Sequence, residues 1–284
     1  MNYALAAGRR VLNRLLRDGR LRTLAEQDGK AALLAQAVRD ALSGSLSDEE
    51  REAVTRIERR RAELEASSEV LTGTDYGAGD PSARRSHEIM TIGVPVTRAV
   101  GDFCRLVSKS PFWGRVLFKA VRATRPSSGV EMGTALGISA AYQGAAMALN
   151  GVGTLTSLEG DERVAAKGQE TLVRLGLGNV DVVVGRFHDT LERVLRARVP
   201  VDYLFVDGHH DEEATIGYFR SAAPFLADGA VVVLDDIRWS PGMYRAWRSV
   251  ISSARVELSV DLGNLGICVL PPAGGRGNYL VPVD

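Results

Sequence analysis

The second half of the chain alternates short apolar runs with longer segments of helical spacing. The apolar runs cover residues 130–132, 154–158, 180–184, 201–206 and 230–234. Each run is followed by an amphipathic segment long enough to form a helix. Five such units in succession predict parallel strands, because a strand reaches a parallel neighbour only through a crossover.

The pattern changes near the end of the chain. Strand-like runs at residues 256–260 and 267–270 are joined by Asp261-Leu-Gly-Asn-Leu-Gly266, which is a hairpin signal with no helical segment. We therefore predict an α/β fold with a mostly parallel seven-stranded sheet and an antiparallel hairpin at one edge.

The residues before the sheet have a mainly helical pattern. Residues 2–68 contain no proline and predict three helices, the third opened by the capping box Ser47-Asp-Glu-Glu50. The segment 72–81, rich in Gly and Asp, predicts a loop, and helical spacing resumes over 82–122 with breaks near 93–95 and at 110–111. We divide the chain into an N-terminal helical region at 1–72, a linker and helical lid at 73–126, and a sheet domain at 127–284.

Apolar residues of the N-terminal region form helical faces that must be buried. They are Leu12, Leu15, Leu16, Leu33, Leu34, Val38, Val54, Ile57 and Leu64. Because the sheet has its own helices for both faces, we predict that part of this surface meets a second copy of the chain in a homodimer. The alternative is that the helices fold back on their own domain as a cap.

Composition and charge restrict the partners. The 284 residues are 45% hydrophobic and 25% charged, which is ordinary for a folded globular protein. Equal numbers of basic and acidic residues, 35 of each, leave no net charge to attract nucleic acid. Cys104 and Cys268 lie in apolar stretches without a Cys-x-x-Cys pair, which favours reduced thiols and a cytoplasmic protein. No apolar run is long enough to predict a membrane span.

Candidate ligand-binding residues lie at the ends of the first two predicted strands. The first strand ends in Glu131 and a loop whose Gly133 and Gly137 let the backbone approach a ligand. The second ends in Glu159, where a carboxylate can accept both hydroxyl protons of a ribose. Ala135 interrupts the G-x-G-x-x-G pattern, which counts against a nicotinamide oxidoreductase. Together these residues favour an adenosine-bearing ligand, although the glycines could serve only a turn and Glu159 only the next helix.

With these residues the sequence resembles the class I S-adenosylmethionine-dependent methyltransferases. Among them it is similar to bacterial O-methyltransferases of the macrocin and catechol type, over about residues 127–271. The resemblance implies a Rossmann-like sheet with S-adenosylmethionine as cofactor. It implies that Glu131, Gly133, Gly137 and Ser139 cradle the methionine part and that Glu159 takes the ribose. It also implies that the stretch Gly185-Arg186-Phe187 borders the adenine.

Carboxylates at the ends of two later strands predict a cation site. Asp207 follows the fourth strand, and Asp235 and Asp236 follow the fifth. Three carboxylates that converge would repel one another without a cation, and an all-oxygen set suits Mg²⁺. The 28-residue gap from Asp207 to Asp235 is similar to that of the metal-dependent O-methyltransferases. The alternative is that Asp207 only borders the methyl donor and Asp236 only caps a helix.

Two histidines and two aromatic residues complete the candidate site. His209 and His210 follow Asp207 directly, and an imidazole is a plausible general base for a bound hydroxyl. The resembling family commonly has an acidic residue or lysine at one of these positions, and one ring could be a wall residue only. Trp239 and Tyr76 are candidate walls for the methyl acceptor, although Trp239 could equally be a packing residue.

The sequence thus predicts an S-adenosylmethionine-dependent O-methyltransferase that uses Mg²⁺ to act on a hydroxyl of a small molecule such as a natural product. No nucleic-acid or membrane partner is expected. The nearest alternative is metal-independent transfer to nitrogen, carbon or carboxylate. Alternatives of other classes are a nicotinamide oxidoreductase and a non-catalytic binding module.

Overall fold

The computed structural model describes residues 2–79 and 85–283. Its helices are α1 (Asn2–Ala25), α2 (Gly29–Ser43), α3 (Asp48–Glu65), α4 (His87–Ile92), α5 (Val100–Val107), α6 (Pro111–Thr124), α7 (Ile138–Asn150), α8 (Glu162–Leu175), α9 (Phe187–Arg198), α10 (Glu212–Ala222) and α11 (Pro241–Ile251). Its strands are β1 (Val70–Asp75), β2 (Val94–Ala99), β3 (Ser128–Met132), β4 (Thr154–Glu159), β5 (Val180–Val184), β6 (Val201–Val206), β7 (Leu226–Leu234), β8 (Leu258–Asp261), β9 (Gly266–Val269) and β10 (Gly277–Leu280). None of the helices in the described part is long and apolar enough to cross a membrane.

The main sheet has the predicted α/β architecture. Its strand order is β10-β8-β9-β7-β6-β3-β4-β5, and β3 to β7 run parallel. The predicted hairpin is confirmed, because β9 pairs antiparallel with both β7 and β8. The number of strands was wrong: β10 adds an eighth strand, parallel to β8. This strand is four residues long and follows a Gly-rich segment, so its apolar pattern is too short to predict a strand.

Helices cover both faces of the main sheet. One apolar cluster lies beneath α9, α10 and α11, and includes Leu191, Phe219 and Trp247. The other lies beneath α7 and α8 and continues into the N-terminal helices. The central strands β3, β6 and β7 are buried on both faces, which explains their nearly continuous apolar runs.

A second, two-stranded sheet replaces part of the predicted loop and lid. Strand β1 pairs antiparallel with β2, and α4 lies between them. The loop prediction at 72–81 was therefore wrong over its first four residues, and the helical prediction at 82–122 was wrong over β2. Thr72 and Thr97 face each other across the pair, with their hydroxyls 3.0 Å apart. This pairing joins segments that are separated by about 20 residues, so no local sequence pattern predicts it.

The three predicted N-terminal helices are present and fold back on their own chain. The capping box of α3 is confirmed: the Glu50 amide donates to the Ser47 hydroxyl, and the Ser47 amide donates to the Glu50 carboxylate. Helix α2 packs on α6 and α3 packs on α7.

The predicted apolar face of these helices is divided between core and surface. Within the same chain the structure buries Leu34, Val38, Val54, Ile57 and Leu64. Leu15, Leu16 and Leu33 are exposed, and the side chain of Leu12 lies outside the described residues. The homodimer stays a prediction, now supported by a smaller apolar surface.

Candidate active site

A cavity of about 860 Å³ opens at the carboxyl ends of β3, β4, β6 and β7. Its floor is formed by the segments that follow these strands, and its cover by residues 74–79 and by α4, β2 and α5. The volume suits a small-molecule ligand together with a cofactor. The location agrees with the prediction that ligands bind at the carboxyl edge of the parallel strands.

Strained backbone is concentrated around this cavity. In the described part of the chain, five residues other than glycine have a positive φ, and all but Arg125 line the cavity; these are Ala135, His209, His210 and Asp236. Such conformations are costly for residues with a side chain and are found preferentially at functional sites.

The loop after β3 is folded tightly against its neighbours. The amides of Gly133 and Thr134 both donate to the Leu158 carbonyl, at 2.9 and 3.1 Å. Gly133 has φ +108°, and a Cβ at this position would lie 2.1 Å from the Asp207 carbonyl oxygen. Gly137, which precedes α7, has φ +81° and lies behind the cavity wall rather than in it. Only glycine fits at residue 133, because the loop packs directly against the Asp207 backbone at the edge of the cavity.

Glu159 borders the cavity beside this loop. Its two carboxylate oxygens accept from the amides of Ala135, at 2.9 Å, and Asp161, at 3.1 Å. Burial raises the pKa of Glu159, and these amide hydrogen bonds oppose the rise. Each oxygen has a further lone pair, so the carboxylate can still accept hydrogen bonds from a ligand.

Glu131 lies behind the loop, outside the cavity lining. Its carboxylate is fully buried and accepts from the Ser157 hydroxyl at 2.6 Å and the Gln143 amide at 2.7 Å. Glu131 thus does not line the cavity in this structure, because its oxygens hold β4 and α7, and its predicted contact with a ligand stays a prediction. Ser139, at the start of α7, does line the cavity.

Burial raises the pKa of Glu131 to about 7, although hydrogen bonds from Ser157 and Gln143 oppose the rise. A carboxyl whose pKa is raised on folding costs stability when it ionises, so this cost grows as pH rises from about 4.5 to 7. We expect wild type to lose about 3 kcal/mol relative to Glu131→Gln over this window. Urea unfolding of both proteins at pH 5 and pH 8 measures the difference, and equal pH dependence would contradict the assignment.

The segment after β5 contributes two of its three predicted residues to the cavity. Arg186 and Phe187 line it, whereas Gly185 does not. The Arg186 guanidinium donates to the Thr91 carbonyl and to Asp189, at 3.2 and 2.9 Å. Arg186 therefore connects this segment to the cover of the cavity.

The three predicted acidic residues converge, as strand pairing requires. Strands β6 and β7 are neighbours, with Val206 opposite Leu234, so Asp207 and Asp235 follow side by side. Asp207 and Asp236 line the cavity, and Asp235 is buried beneath it. Burial raises the pKa of Asp207, while the Lys109 ammonium and His210 oppose the rise.

A lysine that the sequence analysis missed lies among these carboxylates. The Lys109 ammonium donates a short hydrogen bond to Asp235 and lies 3.7 Å from Asp207 and 3.9 Å from Asp236. No group of three or more His, Cys, Asp or Glu in the described part of the chain is arranged to hold a metal ion. A cationic side chain thus lies at the position where the sequence predicts a cation.

The structure distinguishes the two histidines. The His209 ring is 2.6 Å from the Tyr218 hydroxyl and packs edge-on against Phe187. His210 lies among the acids, with Nε2 3.7 Å from Asp207 and Nδ1 3.8 Å from Asp236. Both line the cavity, but only His210 is close to the carboxylate cluster.

The two aromatic residues predicted as acceptor walls both line the cavity. The Trp239 ring lies 5.6 Å from the His210 ring, and Tyr76 lies in the cover. Arg85 holds this cover together, because it pairs with Asp75 at 2.9 Å and donates to the Gly77 carbonyl. Arg85 was not predicted as a cavity residue, and the Gly-rich composition before it was the available sign of a functional loop.

Comparisons with known proteins agree with this architecture. Residues 130–237 match a family model described as a methyltransferase domain. The fold is similar to an O-methyltransferase from Bacillus cereus solved in complex with SAH, at 22% identity and TM-score 0.50, covering 58% of this chain and 83% of that one. An SAH-bound methyltransferase from Podospora anserina is 16% identical, with TM-score 0.50 over 57% of this chain and 79% of that one.

A further similar structure is the cofactor-bound Rv0187 protein from MTB, at 22% identity and TM-score 0.52, covering 58% of this chain and 82% of that one. A search of curated proteins gave no match. At these identities the solved structures establish the fold, and the family model establishes the kind of domain. This chain therefore contains a methyltransferase domain with the class I fold, at residues 130–237.

Proposed function

We propose that this protein is an S-adenosylmethionine-dependent O-methyltransferase acting on a hydroxyl of a small molecule. One observation carries the proposal: a single cavity joins the Gly133 loop and Glu159 at one end to His210 and Lys109 at the other. The first end fits an adenosine-bearing cofactor, and the second carries a base and a cation for an acceptor hydroxyl. Two of the similar structures were solved with SAH, which supports this cofactor.

The residues around the loop fit the cofactor by their chemistry. Gly133 lets the loop after β3 pack against the Asp207 backbone and still line the cavity with Ser139, where the loop can contact the methionine part. Glu159 keeps acceptor capacity for ribose hydroxyls, and Phe187 offers an aromatic face for the adenine. S-adenosylmethionine supplies a methyl group on a positively charged sulfur, so the protein needs no nucleophile of its own.

Methyl transfer then requires only an aligned and deprotonated acceptor. The acceptor oxygen bonds to the methyl carbon while the carbon–sulfur bond breaks, and that electron pair returns to sulfur to leave a neutral thioether. His210 accepts the hydroxyl proton, and the neighbouring Asp207 and Asp236 stabilise the imidazolium. Trp239 and Tyr76 exclude water and orient the acceptor.

The Lys109 ammonium favours oxygen as the acceptor atom. The Lys109 ammonium lines the cavity beside His210. A fixed cation that donates a hydrogen bond stabilises an oxygen that gains negative charge. This observation supports a hydroxyl acceptor.

Magnesium, which the sequence predicts here, does not fit the carboxylates while Lys109 holds them. Asp207, Asp235 and Asp236 are the oxygen ligands that Mg²⁺ prefers, but the ammonium nitrogen lies within 4 Å of an oxygen of each. The chemistry proposed for this site therefore uses the chain's own residues.

Glu159→Ala tests the cofactor assignment. The variant should lose charge-assisted hydrogen bonds to the ribose, each worth about 1.5 to 3 kcal/mol, and bind S-adenosylhomocysteine about ten-fold or more weakly. Isothermal calorimetry measures the affinity. Glu162→Ala is the matched control, because Glu162 is exposed at the start of α8 and does not line the cavity. Unchanged affinity in a folded Glu159→Ala protein would refute the assignment.

A further inference from the structure

We propose that Lys109 is the resident cation of the acceptor end of the cavity and occupies the place that a divalent metal ion would need. The inference rests on the proposed function for what this cation does. Whether Lys109 excludes a metal ion does not depend on the proposed function, and it can be measured as metal binding without turnover.

The carboxylates surround the ammonium closely. Lys109 Nζ contacts Asp235 Oδ2 directly and lies within 4 Å of an oxygen of Asp207 and of Asp236. The Lys109 side chain is 10% exposed, and that of Asp235 is fully buried. A cationic side chain is rarely taken this far out of water unless carboxylates compensate it.

A metal ion and this ammonium compete for the same oxygens. Mg²⁺ lies about 2.0 to 2.1 Å from its ligands, so an ion bound to Asp207, Asp235 and Asp236 would lie a few ångströms from Nζ. Two cations at that separation in a partly buried site repel strongly. Lys109 and the metal therefore exclude each other as long as the lysine keeps its position.

The position of Lys109 is fixed from outside the sheet. The Arg61 guanidinium, on α3, donates to the Lys109 carbonyl. Arg61 is held in turn by Glu58 at 3.0 Å, and Glu58 accepts from the Tyr142 hydroxyl of α7 at 2.6 Å. The backbone that carries the lysine is thus anchored to both the N-terminal region and the sheet domain.

This arrangement assigns the N-terminal helices a part in the chemistry. Lys109 lies between α5 and α6, outside the residues that match the methyltransferase family model. Its ammonium lines the cavity, so it can donate a hydrogen bond to the acceptor oxygen as negative charge develops there. Orientation of the acceptor and stabilisation of the oxyanion, the two tasks of a metal ion, then belong to one side chain.

Manganese binding followed by electron paramagnetic resonance tests the proposal, because bound Mn²⁺ disappears from the free-ion signal. Wild type should bind no Mn²⁺ at this site up to about 1 mM, whereas Lys109→Met should bind one equivalent at least about ten-fold more tightly. Lys109→Arg keeps the charge and should behave as wild type. Lys167→Met is the remote control, since Lys167 also pairs with two acids, Glu69 and Glu170.

Wild type that binds one Mn²⁺ as tightly as Lys109→Met, with Mg²⁺ competing, would overturn the proposal. A folded Lys109→Met protein that binds no Mn²⁺ would overturn it as well. If Lys109→Met does not fold, the wild-type titration decides alone: no binding supports the proposal, and binding that Asp235→Asn removes refutes it. Loss of S-adenosylhomocysteine binding would refute the proposed function instead, and would leave this titration unaffected.

Discussion

Replacement of His210 by alanine should lower kcat by about 10²- to 10⁴-fold and leave the KM for S-adenosylmethionine nearly unchanged. The ring lines the cavity and lies between Asp207 and Asp236, at 3.7 and 3.8 Å. No other imidazole within the described residues lies as close to the carboxylate cluster. Without this ring, no imidazole in the part of the chain that the structure describes lies close enough to the carboxylates to accept the hydroxyl proton. The residues at the cofactor end of the cavity are unchanged.

Initial rates of S-adenosylhomocysteine formation measure this effect, with the best acceptor from a panel of phenols and catechols. His209→Ala is the matched control, because His209 lines the same cavity but its ring is hydrogen-bonded to the Tyr218 hydroxyl. It should reduce stability more than kcat. Added imidazole should restore part of the rate of His210→Ala and none of that of His209→Ala. A His210→Ala rate within about three-fold of wild type would refute the role of this residue as base.

Gly133→Ala should abolish cofactor binding and destabilise the fold by about 3 kcal/mol or more. The added Cβ would lie 2.1 Å from the Asp207 carbonyl oxygen, which belongs to rigid backbone, and the residue has φ +108°. Both the loop after β3 and the segment after β6 would have to move. These segments carry the two ends of the proposed reaction site.

Gly151→Ala is the control that separates the two effects of Gly133→Ala, namely the contact with Asp207 and the cost of a positive φ. Gly151 also has a positive φ, of +67°, but among the described residues no atom lies within 4 Å of the position of its Cβ. It should cost about 1 kcal/mol and leave cofactor binding intact. Thermal unfolding and calorimetry with S-adenosylhomocysteine measure both properties. Equal effects of the two substitutions would show that contact between Gly133 and Asp207 is not what keeps the loop in place.

The parallel sheet was predictable because its signal is local. Strands β3 to β7 are apolar runs separated by helices of ordinary length, and right-handed crossovers leave few ways to connect them. The edge hairpin carried its own turn residues. Strand β10 and the pair β1–β2 were not predictable, because each is short and depends on a partner from another part of the chain.

In the site, too, residues placed by local patterns were predictable and residues placed by long-range contacts were not. Asp207 and Asp235 could be placed together because strand ends align at one edge of a sheet. Lys109 is 126 residues from Asp235 and enters from a helix junction, so strand pairing does not reveal it. Its rarity was the available signal, since Lys30, Lys109, Lys119 and Lys167 are the only lysines among 35 basic residues.

The roles of the neighbouring histidines could not be separated from the sequence. They are adjacent, and both have a positive φ, so the direction of each side chain depends on the conformation of the turn. Contact with Tyr218 and Phe187 holds His209, and those partners come from α10 and α9. Glu131 is a similar case, because its chain position beside the glycine loop gave no indication that Ser157 and Gln143 would enclose it.

Hydrogen exchange with and without S-adenosylhomocysteine is the decisive measurement for the proposed cofactor site, since it needs neither an acceptor nor a variant. We expect protection of the backbone at 133–139 and 159–161, on either side of the cofactor end of the cavity, and no protection by NAD. Protection by NAD at these segments, or none by S-adenosylhomocysteine at saturating concentration, would contradict a methyltransferase that binds its cofactor here.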